Sequence, residues 1–217
     1  MIVHDFTREN SILNQFISEL RDVSVQKDRM RFRRNIERVG EILSYELSKS
    51  LSYKAKKTQT PLGEINMSII QNSLVLCSVL RAGLPLHQGL LNYFDTADNA
   101  FISAYRYHRD KGDAFEVIVK YFAAPSLTDK TLVLTDPMLA TGKTLENVLK
   151  ALKDYGKPNQ IHIVSVIGSK SGVEHIKAVF PKDTHLRIAT IDDVLTSYGY
   201  IKPGLGDAGD LAYGLKL

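Results

Sequence analysis

One stretch combines an acidic residue, a proline and a run of small and hydroxylated residues: Asp136-Pro137-Met138-Leu139-Ala140-Thr141-Gly142-Lys143-Thr144. Ala140 to Thr144 carry little bulk, so backbone N–H groups can turn inward at a helix start. There they and the helix dipole favour a phosphate. The hydroxyls of Thr141 and Thr144 add donors. Asp136 repels phosphate and is better suited to accepting hydrogen bonds from the hydroxyls of a ribose. Gly142-Lys143-Thr144 is also the second half of a P-loop, G-x-x-x-x-G-K-[ST]. The position that needs its first glycine holds Pro137, which gives neither a positive φ nor a backbone donor. A P-loop nucleotide phosphotransferase is therefore the alternative and not the main reading.

Two further places offer cations. Leu80-Arg81-Ala82-Gly83 sets an arginine before residues that permit a tight backbone, an arrangement suited to an anionic group. Tyr105-Arg106 opens a charged, glycine-containing connection, His108-Arg109-Asp110-Lys111-Gly112-Asp113, which reads as a candidate lid. Near the end, Tyr198 to Asp210 holds four glycines and one proline among thirteen residues, which predicts a fixed irregular backbone, neither strand nor helix. Such a backbone can read a flat heterocycle with its own N–H and C=O groups. Asp207 and Asp210 within it would be costly to bury without a cation or hydroxyl. There is no Ser/His/Asp or Cys/His nucleophile arrangement, and the six histidines lack metal-ligand spacing, so no protein metal ligand is assigned.

These residues need a scaffold, and the patterning supplies one. Amphipathic helices are expected over residues 8–22 and 27–50, followed by a β-arm with a turn over 54–65. The second helix begins with Lys27, Arg29, Arg31, Arg33, Arg34 and Arg38 on its other face, read as a solvated or subunit-contact face in preference to an RNA-binding one. Strands at 74–80, 100–105, 131–135, 161–167 and 185–191 alternate with helices at 85–93, 143–155 and 172–180. That alternation argues for a parallel sheet with helices on both faces and ligands at the carboxyl ends of its strands. A further alternating run, 115–121, suggests a strand beside the sheet. Gly156 stands as a helix stop.

The chain of 217 residues fits one domain: helices and arm over 1–70, core sheet over 71–197, tail over 198–217. Net charge of +4 is compatible with a polyanionic ligand and does not require nucleic acid. The lone Cys77 excludes an intrachain disulfide framework and reads as a small buried hydrophobe. Neither a signal peptide nor a bilayer-spanning run is expected, which points to a soluble, cytoplasmic protein.

Asp136-Pro137-Met138-Leu139-Ala140-Thr141-Gly142 is identical to the loop of the uracil phosphoribosyltransferase family, within the type I phosphoribosyltransferases. Leu80-Arg81-Ala82-Gly83 and Tyr105-Arg106 resemble the family's two pyrophosphate-contacting loops. Gly199-Tyr200-Ile201 and Pro203-Gly204-Leu205-Gly206-Asp207-Ala208-Gly209-Asp210 look like its uracil-binding segment. The resemblance runs from about residue 27 to the end. It implies an α/β fold of type I phosphoribosyltransferase kind: a five-stranded, mostly parallel sheet flanked by helices, with a β-arm or hood and an irregular C-terminal base-binding segment. The implied reaction converts uracil and 5-phospho-α-D-ribose 1-diphosphate (PRPP) to UMP and diphosphate, with Mg²⁺ held through PRPP.

By the same resemblance Arg81, Arg106, Asp136 and Asp207 form the catalytic set. PRPP is bound by these four with Pro137, Met138, Leu139, Ala140, Thr141, Gly142, Lys143 and Thr144, and uracil by Ile201, Gly206, Asp207 and Ala208. The chain departs from the family pattern at Lys143, at Lys202, at Leu211-Ala212-Tyr213 and in the lid, where Arg109 is the substitute for Arg106. Expected partners are the two small substrates and further copies of the chain, as a dimer or larger homo-oligomer, with no membrane or nucleic-acid partner. A regulatory relative of this fold that binds pyrimidine nucleotide and RNA is the remaining alternative.

Overall fold

The β-branched and aliphatic runs that interrupt the helical patterns end up side by side. The structure, a computed structural model, describes residues 1–108 and 115–216, and side chains within those ranges except at 104–108 and 115–120. In chain order, β1 (Ile2–Asp5) leads through a 3₁₀ turn to α1 (Ile12–Arg21) and α2 (Arg29–Ser48). A hairpin of β2 (Tyr53–Thr60) and β3 (Gly63–Ile70) follows. The alternating region contains β4 (Leu74–Leu80), α3 (Gly83–Leu91), β5 (Asp98–His108), β6 (Phe115–Ala123), β7 (Thr131–Thr135) and β8 (Met138–Leu139). It continues with α4 (Lys143–Ala151), β9 (Gln160–Ser169), α5 (Lys170–Val179) and β10 (His185–Asp192). The tail holds β11 (Val194–Leu195), β12 (Ile201–Lys202) and α6 (Ala208–Tyr213).

The main sheet runs β1-β10-β9-β7-β4-β5-β6, with β8 also on β9. All its pairings are parallel except β5 with β6. Alternation within the buried strands divides the core. Leu74, Leu76, Val133 and Val164 pack with α1, α2 and α3, while Val75, Cys77, Leu132, Leu134 and Ile163 pack with α4 and α5. Burial pushes the Cys77 thiol up to about 12, which leaves it an inert apolar filler. Where α2 crosses α3, Gly40 faces Gly89. A Cβ on Gly89 would lie 2.2 Å from the Glu37 carbonyl oxygen, so the two backbones touch there.

The five expected strands form the interior of a wider sheet. β1 adds to one edge; at four residues it is too short to show a period. At the other edge β6 pairs antiparallel with β5, which runs on past the expected end at Tyr105 to His108. The expected helix 143–155 is α-helical only to Ala151, then tightens to 3₁₀ before Gly156 at φ +106°. The hairpin is longer than the 54–65 arm: its paired strands run from Tyr53 to Ile70, and Tyr53, Leu62, Ile65 and Met67 are exposed.

The basic start of α2 is largely used inside the chain. Arg34 pairs with Glu37 at 2.6 Å, Arg31 with Glu19 at 3.4 Å, and Arg38 lies 5.2 Å from the Phe16 ring centroid. Arg33 donates to the Ala212 carbonyl oxygen at 2.7 Å. Toward the amino ends of β1, β10 and β9 sits a buried polar group without a carboxylate hydrogen-bonded to it. Arg187, 1% exposed, donates to His162 Nδ1 at 2.7 Å and to Ser50 Oγ. His185 stacks between His162 and His4.

Candidate active site

The phosphate-loop candidate is built by stopping one strand and starting one helix. β7 ends at Thr135, as Pro137 demands, and Asp136 sits just past its carboxyl end, half-buried. Its carboxylate accepts from the Met138 N–H at 3.1 Å, bending the chain into the turn. Gly142 then takes φ +76° at the start of α4 and, as the N-cap, brings no side chain to cap the helix. The N–H groups of that first turn are what a phosphate would accept from, the Lys143 N–H in place of its 3.4 Å contact to Thr141 Oγ1. Thr141 and Thr144 flank them half-buried, and Lys143 is exposed. A small concavity is lined by Asp136, Ala140, Thr141, Gly142 and Thr144.

The loop's carbonyl oxygens are drawn the other way, into the protein. Ser165 Oγ donates to the Asp136 oxygen at 2.6 Å, and the Val166 and Ile167 N–H groups donate to the Pro137 oxygen at 3.2 and 3.0 Å. Ser169 Oγ donates to the Ala140 oxygen at 2.6 Å and also caps α5 by accepting from the Gly172 N–H at 2.9 Å. A Cβ on Gly172 would lie 2.3 Å from the Ala140 oxygen, so α5 can sit this close only with glycine there. These anchors at the end of β9 escaped sequence reasoning because two serines 29 residues downstream carry no local signal.

β4 lies beside β7 in the sheet, which brings Arg81 to the same edge. A Cβ on Gly83 would be 2.7 Å from Ser78 Oγ and 3.2 Å from the Thr135 oxygen, so the glycine lets the arginine loop lie against the end of β7. Arg81 Nη2 donates to Asp210 Oδ1 at 3.1 Å and to the Gly214 oxygen at 3.2 Å, tying the loop to the tail. Asp210 thereby has its cation. The structure thus assembles Arg81, the 136–144 loop and the tail at one end of the sheet. Arg106 lies within β5, its backbone opposite Val117, and not in the loop after the strand. Its side chain, and Arg109 with most of the candidate lid, lie outside the described residues.

The tail is more regular than its composition suggested. Ile201, 5% exposed, pairs with Leu195 in a short antiparallel ladder, and α6 begins at Ala208. Asp207 is its N-cap: the carboxylate accepts from the Asp210 N–H at 3.0 Å. An aspartate three residues ahead of a second acid is an ordinary helix start, and the glycines on either side obscured it. Gly206, at φ +93°, and Asp207 line a cavity of about 410 Å³ with Asp210, Gln26, Lys27 and Arg29. Lys27 and Arg29 were visible in the sequence as basic, but only the packing of α2 on the tail places them here. Among the described residues no group of three His, Cys, Asp or Glu side chains could hold a metal ion.

A mostly parallel sheet with an aspartate-led strand-to-helix loop and a neighbouring arginine loop at its carboxyl edge, and an added hairpin, has the architecture of the type I phosphoribosyltransferases. Comparison with known proteins narrows this. The family model described as uracil phosphoribosyltransferase matches residues 7–214. A uracil phosphoribosyltransferase of Porphyromonas gingivalis is 52% identical over 209 residues, covering 96% of both chains. One from Methanococcus maripaludis is 38% identical over 210 residues, covering 95% of this chain and 87% of its own. The solved structure of the AQ2163 protein from Aquifex aeolicus superposes with a TM-score of 0.88 at 27% identity, covering 100% of both chains. The chain belongs to the uracil phosphoribosyltransferase family.

Proposed function

We propose that the chain transfers the 5-phosphoribosyl group of PRPP to uracil, giving UMP and diphosphate in pyrimidine salvage. The observation that carries this reading is the 136–144 loop, with its carbonyls tied back to β9 and its N–H groups at the start of α4, beside Arg81 at the adjoining strand end. The loop N–H groups and the Thr141 and Thr144 hydroxyls take the 5′-phosphate, with Lys143 at their margin. Asp136 accepts from the ribose hydroxyls. Uracil N1 bonds to C1 of the sugar as the C1–O bond breaks; positive charge develops on the sugar, the electron pair leaves with diphosphate, and the N1 proton passes to solvent or to the diphosphate. Arg81 and Arg106 stabilise that leaving group while the tail holds the uracil nitrogen in line. Asp207 steadies the ribosyl side from the start of α6, and backbone at Ile201 and Gly206 to Ala208 faces the base.

The protein's donor set suits Mg²⁺ bound mostly through substrate oxygens. Asp136 supplies one hard carboxylate at the loop, Asp207 a second at the tail, and Mg²⁺ is usually held by one or two carboxylates plus phosphates. When bound, it neutralises charge on the diphosphate. No helix among the described residues is long and apolar enough to cross a membrane, and we place the reaction in the cytoplasm, in a homo-oligomer of one-domain chains. The hairpin supports the last point: a lone two-stranded ribbon exposing Leu62, Ile65 and Met67 gains stability from a second copy.

The test is direct. With PRPP, Mg²⁺ and uracil the protein should form UMP and diphosphate, and with ATP alone it should release no phosphate. ATP hydrolysis that disappears in Lys143→Ala, without phosphoribosyl transfer, would replace this reading with the P-loop one. Within the mechanism, Arg81→Ala should lower kcat/KM by roughly 10² to 10³, about 3–4 kcal/mol, the scale for losing one preorganised donor to developing charge. Unchanged turnover in folded Arg81→Ala protein would remove Arg81 from the site.

A further inference from the structure

The tail can select a base only if its backbone stays in place, and one ion pair holds it. Arg21 is the last residue of α1 and Asp192 the last of β10. Arg21 Nη1 donates to Asp192 Oδ2 at 2.8 Å and Nη2 to Oδ1 at 2.7 Å, a two-pronged contact that fixes both side chains. Asp192 is 8% exposed, so this pair is largely out of water.

Both partners then grip the same residue, Gly204, from its two sides. Arg21 Nη1 donates to the Gly204 oxygen at 3.0 Å, and the Gly204 N–H donates to Asp192 Oδ2 at 2.9 Å. Gly204 is at φ +64°, and a Cβ there would lie 2.1 Å from the Ile201 oxygen, so no other residue fits this turn. One residue on, Gln26 Nε2 donates to the Leu205 oxygen at 3.2 Å while also holding the Leu20 oxygen at 2.9 Å. The gripped turn lies between Ile201 on one side and Gly206 to Ala208 on the other, the two segments proposed above to face the base.

We propose that Arg21 and Asp192 are positioning residues for base selection, holding Gly204 so that the backbone on either side meets the edge of the pyrimidine in register. This rests on the proposed transfer to uracil. Neither side chain is placed in the phosphate loop or among the leaving-group cations. Weakening the pair should therefore affect the base and leave PRPP alone, which a general loss of structure would not do.

Asp192→Asn keeps the size of the side chain and an acceptor for Gly204 but removes the charge. Arg21→Lys keeps the charge but cannot span both oxygens. In each variant KM for uracil should rise at least tenfold, KM for PRPP should stay within about twofold, and the preference for uracil over cytosine should fall at least tenfold. Amide hydrogen exchange read on the same proteins should quicken at least tenfold over residues 199–206 and stay unchanged in β9 and in α6, which Arg81 holds separately through Asp210. If wild type forms UMP while the variants keep its KM for uracil, or lose both substrates equally with exchange raised throughout, the inference fails alone. If wild type forms no UMP from uracil, the functional reading fails and takes the inference with it.

Discussion

Uracil should be preferred over cytosine by roughly 10² to 10⁴ in kcat/KM. Uracil presents O4 as an acceptor and N3–H as a donor. Cytosine presents an amino donor and an unprotonated N3 at the same two places, so both hydrogen bonds reverse. A side-chain amide could flip to follow; backbone groups cannot. Ile201 is buried in a ladder, and Gly204 is held from both sides, so the tail cannot swing to compensate. Each polar group left unpaired in a buried site costs about 1–3 kcal/mol, and two such losses give the stated range. Fluorine at position 5 leaves the edge intact, so 5-fluorouracil should be accepted. The measurement is kcat/KM for uracil, 5-fluorouracil, cytosine and hypoxanthine with the same ribosyl donor. Cytosine or hypoxanthine within tenfold of uracil would rule out readout by the tail backbone.

Acid should unfold the protein through His162. Arginine has no acceptor, so His162 Nδ1 must accept from Arg187 and the ring must be neutral. Burial, then the charge of Arg187, then His185 and His4, pull its pKa from 6.5 down to about 3. Other charges also act on the group: Glu46 of α2 favours the charged forms of Arg187 and His4, Asp183 favours that of His185, and the N-terminal ammonium opposes it. A histidine depressed on folding takes up protons more readily when unfolded. Its contribution is therefore complete above pH 6.5 and is lost as pH falls towards 3. At about 1.4 kcal/mol per pH unit, the whole window is worth on the order of 5 kcal/mol. His162→Gln keeps an acceptor for Arg187 and cannot be protonated. Between pH 7.5 and 4.5 its urea-unfolding free energy should fall by about 2–3 kcal/mol less than that of wild type. Parallel losses would show that acid acts elsewhere.

What the sequence revealed and what it concealed follow from the range of the interactions. The 136–144 loop was legible because strand end, carboxylate, proline, turn glycine and helix start are successive residues, each with a local conformational rule. The inner strands were legible because both faces of a parallel sheet are buried, so β4, β7 and β9 read as near-continuous apolar runs. β1 was not, since Ile2-Val3-His4-Asp5 gains its conformation only from β10. Arg21 and Asp192 stand 171 residues apart, and each alone looks like a surface charge. The cations at the start of α2 were visible, but their partners Glu19 and Ala212 lie on other elements. Local chemistry therefore made the strand-end turn and helix start legible, and tertiary packing supplies what holds the loop and tail still.

The placement of β1 also sets an order on synthesis. His4 meets His185, 181 residues later in the chain, and β10 is the only strand in the described sheet beside β1. On the ribosome the four residues of β1 have no sheet partners until residues 185–188 have emerged, by which point β4, β5, β7 and β9 can already have paired. The edge strand made first is thus the one docked last. Val3 waits until β10 is made, and a nascent chain stalled before β10 is complete would leave Val3 and the flank of β9 uncovered.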